Sequence, residues 1–222
     1  MKVTVTQLTP WSLALDAARA TMGKAGLGNE PSDEWKRKLL ECEHSVIRRV
    51  RYEIKIEGLK SWVSVHLVRH KFGVEHFVQS QRDDRNPDRQ MSRDDMPQGS
   101  PINHTMDINA QEVMFMSRRR LCGQASPETR QTWQAVKREM EKIDPILAEF
   151  MVPMCVYRKH CPELKPCGFW SRKMQGLQIH GEDSDRPTVY RLGENGSLNF
   201  VASFSDNHDA YDFVNYKSGS AA

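Results

Sequence analysis

The chain has 222 residues, with 32 Lys and Arg against 29 Asp and Glu, a net charge of +3 and 38% hydrophobic residues. This length suits one domain with an appendage and can bury a sizeable core. The balanced charge argues against a nucleic-acid-binding surface, and no apolar run approaches the roughly 18 residues of a membrane span. Five scattered cysteines and an alternating N-terminus, unlike a secretory signal, are typical of a cytoplasmic protein.

The first half of the chain alternates strand and helix patterns. Residues 2–8 alternate apolar and polar side chains and predict a strand, and Thr9 has the properties of an N-cap for a helix over residues 9–22. Ser32 is the candidate N-cap of the next helix. Residues 50–57 are the clearest strand, because one face is apolar and the other is charged.

The middle of the chain contains a long polar segment and three predicted helices. Residues 82–101 have few apolar side chains and predict a loop that is either functional or mobile. A helix is predicted over residues 108–121, with Asp107 as its candidate cap. Apolar steps of three and four predict another helix over 126–143, which Ser126 opens, and Asp144-Pro145 starts a short one over 145–151.

These patterns predict an α/β (α+β) protein with a mixed or antiparallel sheet. Residues 1–152 contain the alternating strands and helices and form the main predicted domain. Residues 153–222 have a different character and predict an extension. Within it, residues 188–192 and 198–202 flank Asn-Gly and predict a β-hairpin, and residues 217–222 predict a frayed tail.

The cysteines of the extension raise the question of a metal. Cys155, Cys161 and Cys167 are separated by five residues each, and Cys122 and His160 are further candidate ligands. Zinc needs four nitrogen or sulfur ligands, which this group could supply. The spacing is not the Cys-x2-Cys form, however, so buried free thiols are the alternative.

The most distinctive polar cluster follows a predicted short helix over residues 61–68, whose apolar face is predicted to carry Trp62, Val65, Leu67 and Val68. The cluster comprises Arg69, His70 and Lys71, followed by Ser80, Gln81, Arg82 and Arg85. Arginine offers a planar fork suited to phosphate, lysine a point charge, and serine and glutamine neutral contacts. This combination predicts a site for an anionic ligand with a polar ring. A solvated basic face is the alternative.

This cluster resembles the signature of the flavin-dependent thymidylate synthases, which is Arg-His-Arg, seven residues, Ser, and a further Arg two residues on. Here Lys71 stands in place of the second Arg, and eight residues precede Ser80. Upstream, His44 followed by a strand and Gly58 resembles the family's Gly-His segment, whose His lies at the flavin. A helix-end histidine bonded to the backbone is the alternative for His44.

A second resemblance lies downstream. Asn109-Ala110-Gln111 followed by Arg120 is similar to the family's Asn-Ala-Arg helix, in which an Arg near the end binds the uracil. Gln111 replaces the family's Arg, and Phe115 stands where an Asn usually faces the flavin. Favourable charge at a helix C-terminus is the alternative for the arginines at 118–120.

The resemblance implies reductive methylation of dUMP to dTMP, with FAD as cofactor and NADPH and methylenetetrahydrofolate as co-substrates. It also implies a homotetramer with shared sites. Its implied catalytic residues are Arg120 and Ser80. Its implied cofactor contacts are His44, Arg69, His70, Lys71, Asn109 and Gln111. Its implied substrate contacts are His66, Ser80, Gln81, Arg82 and Arg120.

Three alternatives stay open at the level of sequence. An enzyme on the same scaffold could transfer a different one-carbon unit to a pyrimidine nucleotide. The departures at Gln111 and Phe115 also suit a nucleotide- or flavin-binding protein without turnover. A zinc-containing nucleic-acid binder is favoured only by the cysteines and the slight basicity.

Overall fold

The computed structural model describes residues 1–170, 177–180, 188–192 and 198–203. The chain divides into two compact units, Met1–Pro153 and Met154–Ala222. Within the described residues, no helix is both long and apolar enough to cross a bilayer.

The first unit is built on a four-stranded antiparallel sheet with the strand order β1-β2-β4-β3. The strands are β1 (Lys2–Gln7), β2 (Arg51–Lys60), β3 (Val74–Val78) and β4 (Pro101–Asn109). Its helices are α1 (Ser12–Ala20), α2 (Asp33–Glu41), α3 (Ser61–Leu67), α4 (Ala110–Arg120), α5 (Pro127–Ile143) and α6 (Pro145–Glu149). Single 3-10 turns cover Ser45–Arg49, Asp83–Arg85 and Arg93–Asp95. The predicted α/β class with an antiparallel sheet is confirmed.

The described residues of the second unit include the short helix α7 (Met154–Arg158) and three strands. The strands β5 (Leu177–His180), β6 (Thr188–Leu192) and β7 (Leu198–Ser203) form an antiparallel sheet in sequence order. The predicted hairpin corresponds to the pair β6 and β7. Its turn at 193–197 and the predicted frayed tail at 217–222 lie outside the described residues.

The core of the first unit contains a buried carboxylate. Asp144 accepts hydrogen bonds from Trp11 Nε1 at 2.6 Å and from the Tyr52 hydroxyl at 2.5 Å. Its other oxygen accepts from the backbone N–H of Leu147 at 2.9 Å and so caps α6. Burial and the adjacent Asp144 charge raise the pKa of Tyr52 well above its usual value. This group ties α1, β2 and α6 together.

Three helix starts follow the predicted capping chemistry. The Ser32 hydroxyl accepts from Trp35 N–H, the Ser126 hydroxyl from Thr129 N–H, and the Asp144 carboxylate starts α6. In each case a short polar side chain accepts a hydrogen bond from a backbone N–H that has no carbonyl partner within the helix.

Two local predictions are wrong. Thr9 does not cap α1, which begins at Ser12. Instead the Thr9 hydroxyl donates to the Arg49 carbonyl at 2.6 Å and accepts from Arg51 N–H at 2.8 Å, joining the end of β1 to β2. In α3, Val65 is 52% exposed, because the face that packs on the core carries Val63 and Leu67.

The sheet also contains two strands that the sequence did not predict. The predicted loop ended at residue 101 and the predicted helix began at residue 108, whereas β4 spans both positions and the unassigned residues between them. The cap of α4 is therefore Asn109, and Asp107 lies on the strand, where it pairs with Arg51 at 2.9 Å. No element was predicted for the residues of β3, which is the edge strand beside β4.

Candidate active site

A close contact joins the turn that follows Arg69, His70 and Lys71 to the start of α4. Gly73, at a φ of +73°, accepts a hydrogen bond from the N–H of Asn109 at 2.9 Å. The Asn109 side chain then accepts from Glu112 N–H at 2.9 Å and caps α4. A Cβ on Gly73 would lie 2.4 Å from Asn109 Nδ2, so only glycine permits this approach. The turn after α3 is thereby fixed against the start of α4.

His70 links a carboxylate to an arginine in this junction. The ring is 7% exposed, its Nδ1 lies 3.0 Å from Glu112 Oε1, and Arg120 Nε donates to its Nε2 at 3.0 Å. An arginine is always a donor, so His70 Nε2 must be the acceptor. His70 is therefore the neutral Nδ1–H tautomer and donates to Glu112. Neither ring nitrogen is left for the direct flavin contact that the resemblance implied.

Positive charge accumulates around Arg120. Burial, followed by the neighbouring Arg69 and Arg119, lowers the pKa of Arg120 below its usual value. Burial, Arg120 and Arg69 likewise lower the pKa of His66, whose Nδ1 lies 2.9 Å from the hydroxyl of Thr129. Within the described residues neither Arg69 nor Arg120 forms an ion pair with a carboxylate. Like charges held together in this way create a strong attraction for an anion.

Aromatic and amide groups border these cations. Phe115 is 44% exposed and meets the His70 ring edge-on, with centroids 6.1 Å apart and an interplanar angle of 77°. Gln111, one turn earlier on α4, accepts a hydrogen bond from Arg48 Nε at 2.5 Å. The exposed face of α4 therefore carries the flat ring of Phe115 and the hydrogen-bonded amide of Gln111 beside the positive charge around Arg120.

Two histidines on adjacent strands, His76 and His104, form a series of hydrogen bonds that ends at His70. His76 Nε2 lies 2.8 Å from the carbonyl of His70 and must donate to it, so His76 Nδ1 is an acceptor. His104 Nε2 then donates to His76 Nδ1 at 3.0 Å, and His104 Nδ1 is buried without a hydrogen-bond partner. Burial and His76 lower the pKa of His104 to about 4. These hydrogen bonds hold the carbonyl of His70, which precedes the turn at Gly73.

The second predicted cluster lines a separate pocket of about 480 Å³ formed by Gln79, Ser80, Arg82, Arg85 and Asn86. Here Arg82 pairs in bidentate fashion with Asp84, at 2.9 and 2.7 Å. Asn86 donates to the carbonyl of Ser80 at 2.9 Å. Arg85 is exposed and lies 3.9 Å from Asp84. These side chains suit a phosphate group, with Arg82 exchanging its carboxylate partner for the ligand.

The two clusters do not form a single cavity within one chain. Val74 begins β3 beside the His70 junction, whereas Ser80 lies past the other end of the strand. Six residues of extended chain at ~3.3 Å each separate them by about 20 Å. The structure therefore brings His66, Arg69, His70, Asn109 and Arg120 together and leaves Ser80, Gln81 and Arg82 apart from them.

The remaining predicted site residues have ordinary surroundings. The ring of His44 caps the 3-10 turn that follows it by accepting from Val46 N–H at 3.3 Å, which is the alternative that the sequence left open. Lys71 is exposed. Of the three arginines that end α4, Arg118 is buried and paired with Glu43.

The predicted zinc site is not formed in the part of the chain that the structure describes. No group of three or more His, Cys, Asp or Glu in these residues is arranged to hold a metal ion. Cys155 is buried on α7, Cys161 and Cys167 lie in the segment after it, and Cys122 belongs to the first unit. A spacing of five residues does not impose the tight turn that brings two thiolates to one ion.

Sequence reasoning missed Glu112, His76 and His104. Asn109-x-x-Glu112 has the pattern of a capping box, which predicts that the carboxylate returns to its own helix end. The carboxylate binds His70 instead, because Asn109 N–H is already bonded to Gly73. His76 and His104 carry no local signal, since their pairing depends on the register of β3 and β4.

The fold of the first unit is that of the flavin-dependent thymidylate synthases, as the sequence resemblance implied. Two crystal structures of this class, both of the enzyme ThyX from Helicobacter pylori with FAD and dUMP, match with a TM-score of 0.57 and 15% identity. Each match covers 68% of this chain, and it covers 100% and 99% of the respective ThyX chains.

A crystal structure of the UMP/dUMP methylase PolB from Streptomyces cacaoi with 5-Br dUMP matches with a TM-score of 0.48 and 15% identity, over 67% of this chain and 94% of that one. No protein-family model matches the sequence, and no curated protein matches it.

Proposed function

We propose that this protein is a divergent flavin-dependent thymidylate synthase that methylates dUMP to dTMP. The main supporting observation is that Arg69, Arg120 and His66 lie close together and repel one another electrostatically. Among the described residues, no carboxylate forms an ion pair with either arginine to offset this repulsion. A bound anion would be attracted by this positive charge and would relieve the repulsion. The ThyX fold of the first unit supports a nucleotide and a flavin as that ligand.

The residues present fit a flavin and a pyrimidine nucleotide. Arg69 would hold an anionic part of the cofactor, and the Arg120 fork would polarise the uracil carbonyl edge. The half-exposed ring of Phe115 offers a stacking surface for a flat heterocycle. A bound reduced flavin supplies hydride; these side chains bind, orient and stabilise negative charge on the pyrimidine.

The carbon donor and the reductant are also part of this proposal. We assign methylenetetrahydrofolate as the carbon donor and NADPH as the reductant that renews the flavin, both from the resemblance of the motifs. Asn109 and Gln111 are expected near the cofactor through α4, although the hydrogen bonds that they accept from Glu112 N–H and Arg48 Nε limit what they can accept from a ligand. We place the enzyme in the cytoplasm, because an odd number of cysteines suits a reducing compartment.

We further infer that the active unit is a homotetramer in which one copy supplies the Arg120 cluster and another supplies Ser80, Gln81 and Arg82. The separation of about 20 Å along β3 supports this arrangement, because one mononucleotide cannot touch both clusters of a single chain. Residues 1–152 would then form the enzymatic domain and residues 153–222 an extension of it.

The direct test is to incubate purified protein with FAD, NADPH, methylenetetrahydrofolate and dUMP and to measure dTMP by chromatography. We expect a protein that binds FAD, with flavin absorption after gel filtration, and forms dTMP. Protein that retains no FAD and forms no dTMP under these conditions contradicts the proposal.

A second candidate is a flavin- and nucleotide-binding protein without turnover. The engagement of Gln111 by Arg48 favours it, since that amide cannot replace a free arginine. Binding of both FAD and dUMP without formation of dTMP, or of another alkylated pyrimidine, would select this candidate.

A further inference from the structure

We propose that Glu112 is a positioning residue that acts through His70 to hold the guanidinium of Arg120 in one orientation. The identity of the ligand that Arg120 meets rests on the proposed function. The arrangement of Glu112, His70 and Arg120 itself does not.

The geometry is a continuous path of hydrogen bonds. The carboxylate of Glu112 lies 3.0 Å from His70 Nδ1, and His70 Nε2 accepts from Arg120 Nε at 3.0 Å. Glu112 and His70 are each 7% exposed, so water does not compete freely for these bonds. The three side chains come from the turn after α3 and from both ends of α4.

The use of Nε decides what Arg120 offers to a ligand. A guanidinium has five N–H donors in a rigid plane. With Nε–H bonded to His70, the plane is fixed and the four N–H groups on the two Nη atoms remain. Among the described residues they form no ion pair, so they are directed by His70 toward a ligand rather than toward the protein.

The carboxylate is needed because imidazole has two neutral tautomers. In the Nε2–H form, His70 would present a donor to the Arg120 Nε–H donor, and Arg120 would have to move. Glu112 accepts only, so it requires a proton on Nδ1 and keeps Nε2 as an acceptor. Without this carboxylate the two tautomers compete, and the orientation of Arg120 is lost for part of the population.

The test compares Glu112→Met with Glu112→Gln. Methionine has a similar length and removes the acceptor, whereas the glutamine Oε1 can still accept from His70 Nδ1–H. The probe is dUMP in the presence of FAD, measured by equilibrium dialysis. We expect Glu112→Met to weaken dUMP binding by about tenfold or more and Glu112→Gln by less than about threefold. Glu139→Met is the matched control and should bind as the wild type does, because the partly exposed Glu139 on α5 pairs with Lys142 rather than with His70 or Arg120.

A second readout does not depend on substrate. Nitrogen-15 NMR of His70 should report the Nδ1–H tautomer in the wild type and in Glu112→Gln, and a mixture in Glu112→Met. The Arg120 Nε–H should exchange slowly with water in the first two proteins and fast in the third. A wild type with the Nε2–H tautomer overturns the inference even if Glu112→Met fails to fold. So does a folded Glu112→Met that binds dUMP as the wild type does. If the wild type binds no dUMP but shows the expected tautomer and exchange, the proposed function fails and the positioning role stands.

Discussion

At the level of single side chains, the proposed function depends most on Arg69 and Arg120. Their charges repel each other and also lower the pKa of His66. Folding has therefore accumulated positive charge at a cost in stability, which is the pattern expected where an anion binds.

Arg120→Ala is expected to lower dTMP formation about 100-fold or more, because it removes donors aimed at the pyrimidine carbonyl. Its free energy of unfolding should not fall greatly, since the variant relieves repulsion. Complementation of a thymidine-requiring bacterial strain provides a simple measurement, and circular dichroism checks the fold.

Arg37→Ala is the matched control for that experiment. Arg37 forms a half-exposed ion pair with Glu149 at 2.7 Å, and such pairs contribute at most about 1 kcal/mol. We expect growth as with the wild type. Growth of the Arg120→Ala strain at the same rate would show that Arg120 has no part in the reaction.

At the level of elements, the approach of the Gly73 turn to α4 holds the site together. Gly73→Ala places a Cβ 2.4 Å from the Asn109 amide and at a φ of +73°. We expect the free energy of unfolding to fall by about 2–3 kcal/mol, because alanine is strained in the left-handed backbone conformation and disturbs the helix cap. Urea unfolding measures it.

Gly28→Ala separates the two contributions. Gly28 has a φ of +65°, but a Cβ there would meet nothing within 4 Å. We expect a loss of only about 1–2 kcal/mol, from the backbone alone. Equal losses at Gly73 and Gly28 would mean that the contact with Asn109 has no energetic importance.

The pair of strands β3 and β4 should make stability depend on pH through His104. Its folded pKa of about 4 lies below the unfolded value of 6.5. As the pH falls below 6.5, His104 binds a proton in the unfolded chain but not in the folded one. The contribution of His104 to the free energy of unfolding is therefore fully present above pH 6.5 and decreases toward pH 4. Between pH 7 and pH 5 this amounts to about 2 kcal/mol.

His104→Gln retains a donor for His76 and removes the titration. Between pH 7 and pH 5, the free energy of unfolding should fall by about 2 kcal/mol less for the variant than for the wild type, as measured by urea unfolding. His160→Gln, at an exposed position, should keep the full wild-type loss. A His104→Gln protein with an unchanged pH dependence would show that His104 titrates normally.

At the level of the whole molecule, the site requires two copies of the chain if the proposed assembly is right. Arg120→Ala inactivates one cluster and Arg82→Ala the other. When the two inactive variants are expressed together, mixed tetramers should contain some sites in which both clusters are intact. We expect dTMP formation to recover to about a quarter of the wild-type rate by random mixing of the copies.

Native mass spectrometry should find four chains in each of these assemblies. A monomer that forms dTMP at the wild-type rate, or co-expressed variants with no recovery, would contradict the shared site. The His70 junction and its tautomer would not be affected by that outcome.

What the sequence by itself determined were the features that depend on neighbouring residues. The alternation over β1 and β2, the caps at Ser32, Ser126 and Asp144, and the apolar stripe of α5 all follow from periods of two or 3.6 residues and from short polar side chains at helix starts. The motif resemblance also gave the correct fold class.

Only the tertiary structure decided which distant groups meet. His70 joins Glu112 across 42 positions and Arg120 across 50, and β3 is defined by its pairing with β4 rather than by its own five residues. Glu112 binds His70 for the same reason, because the carbonyl of Gly73 accepts the Asn109 N–H that a capping box would give to the carboxylate. Pairings of this kind arise from packing and register, which local periodicity does not encode.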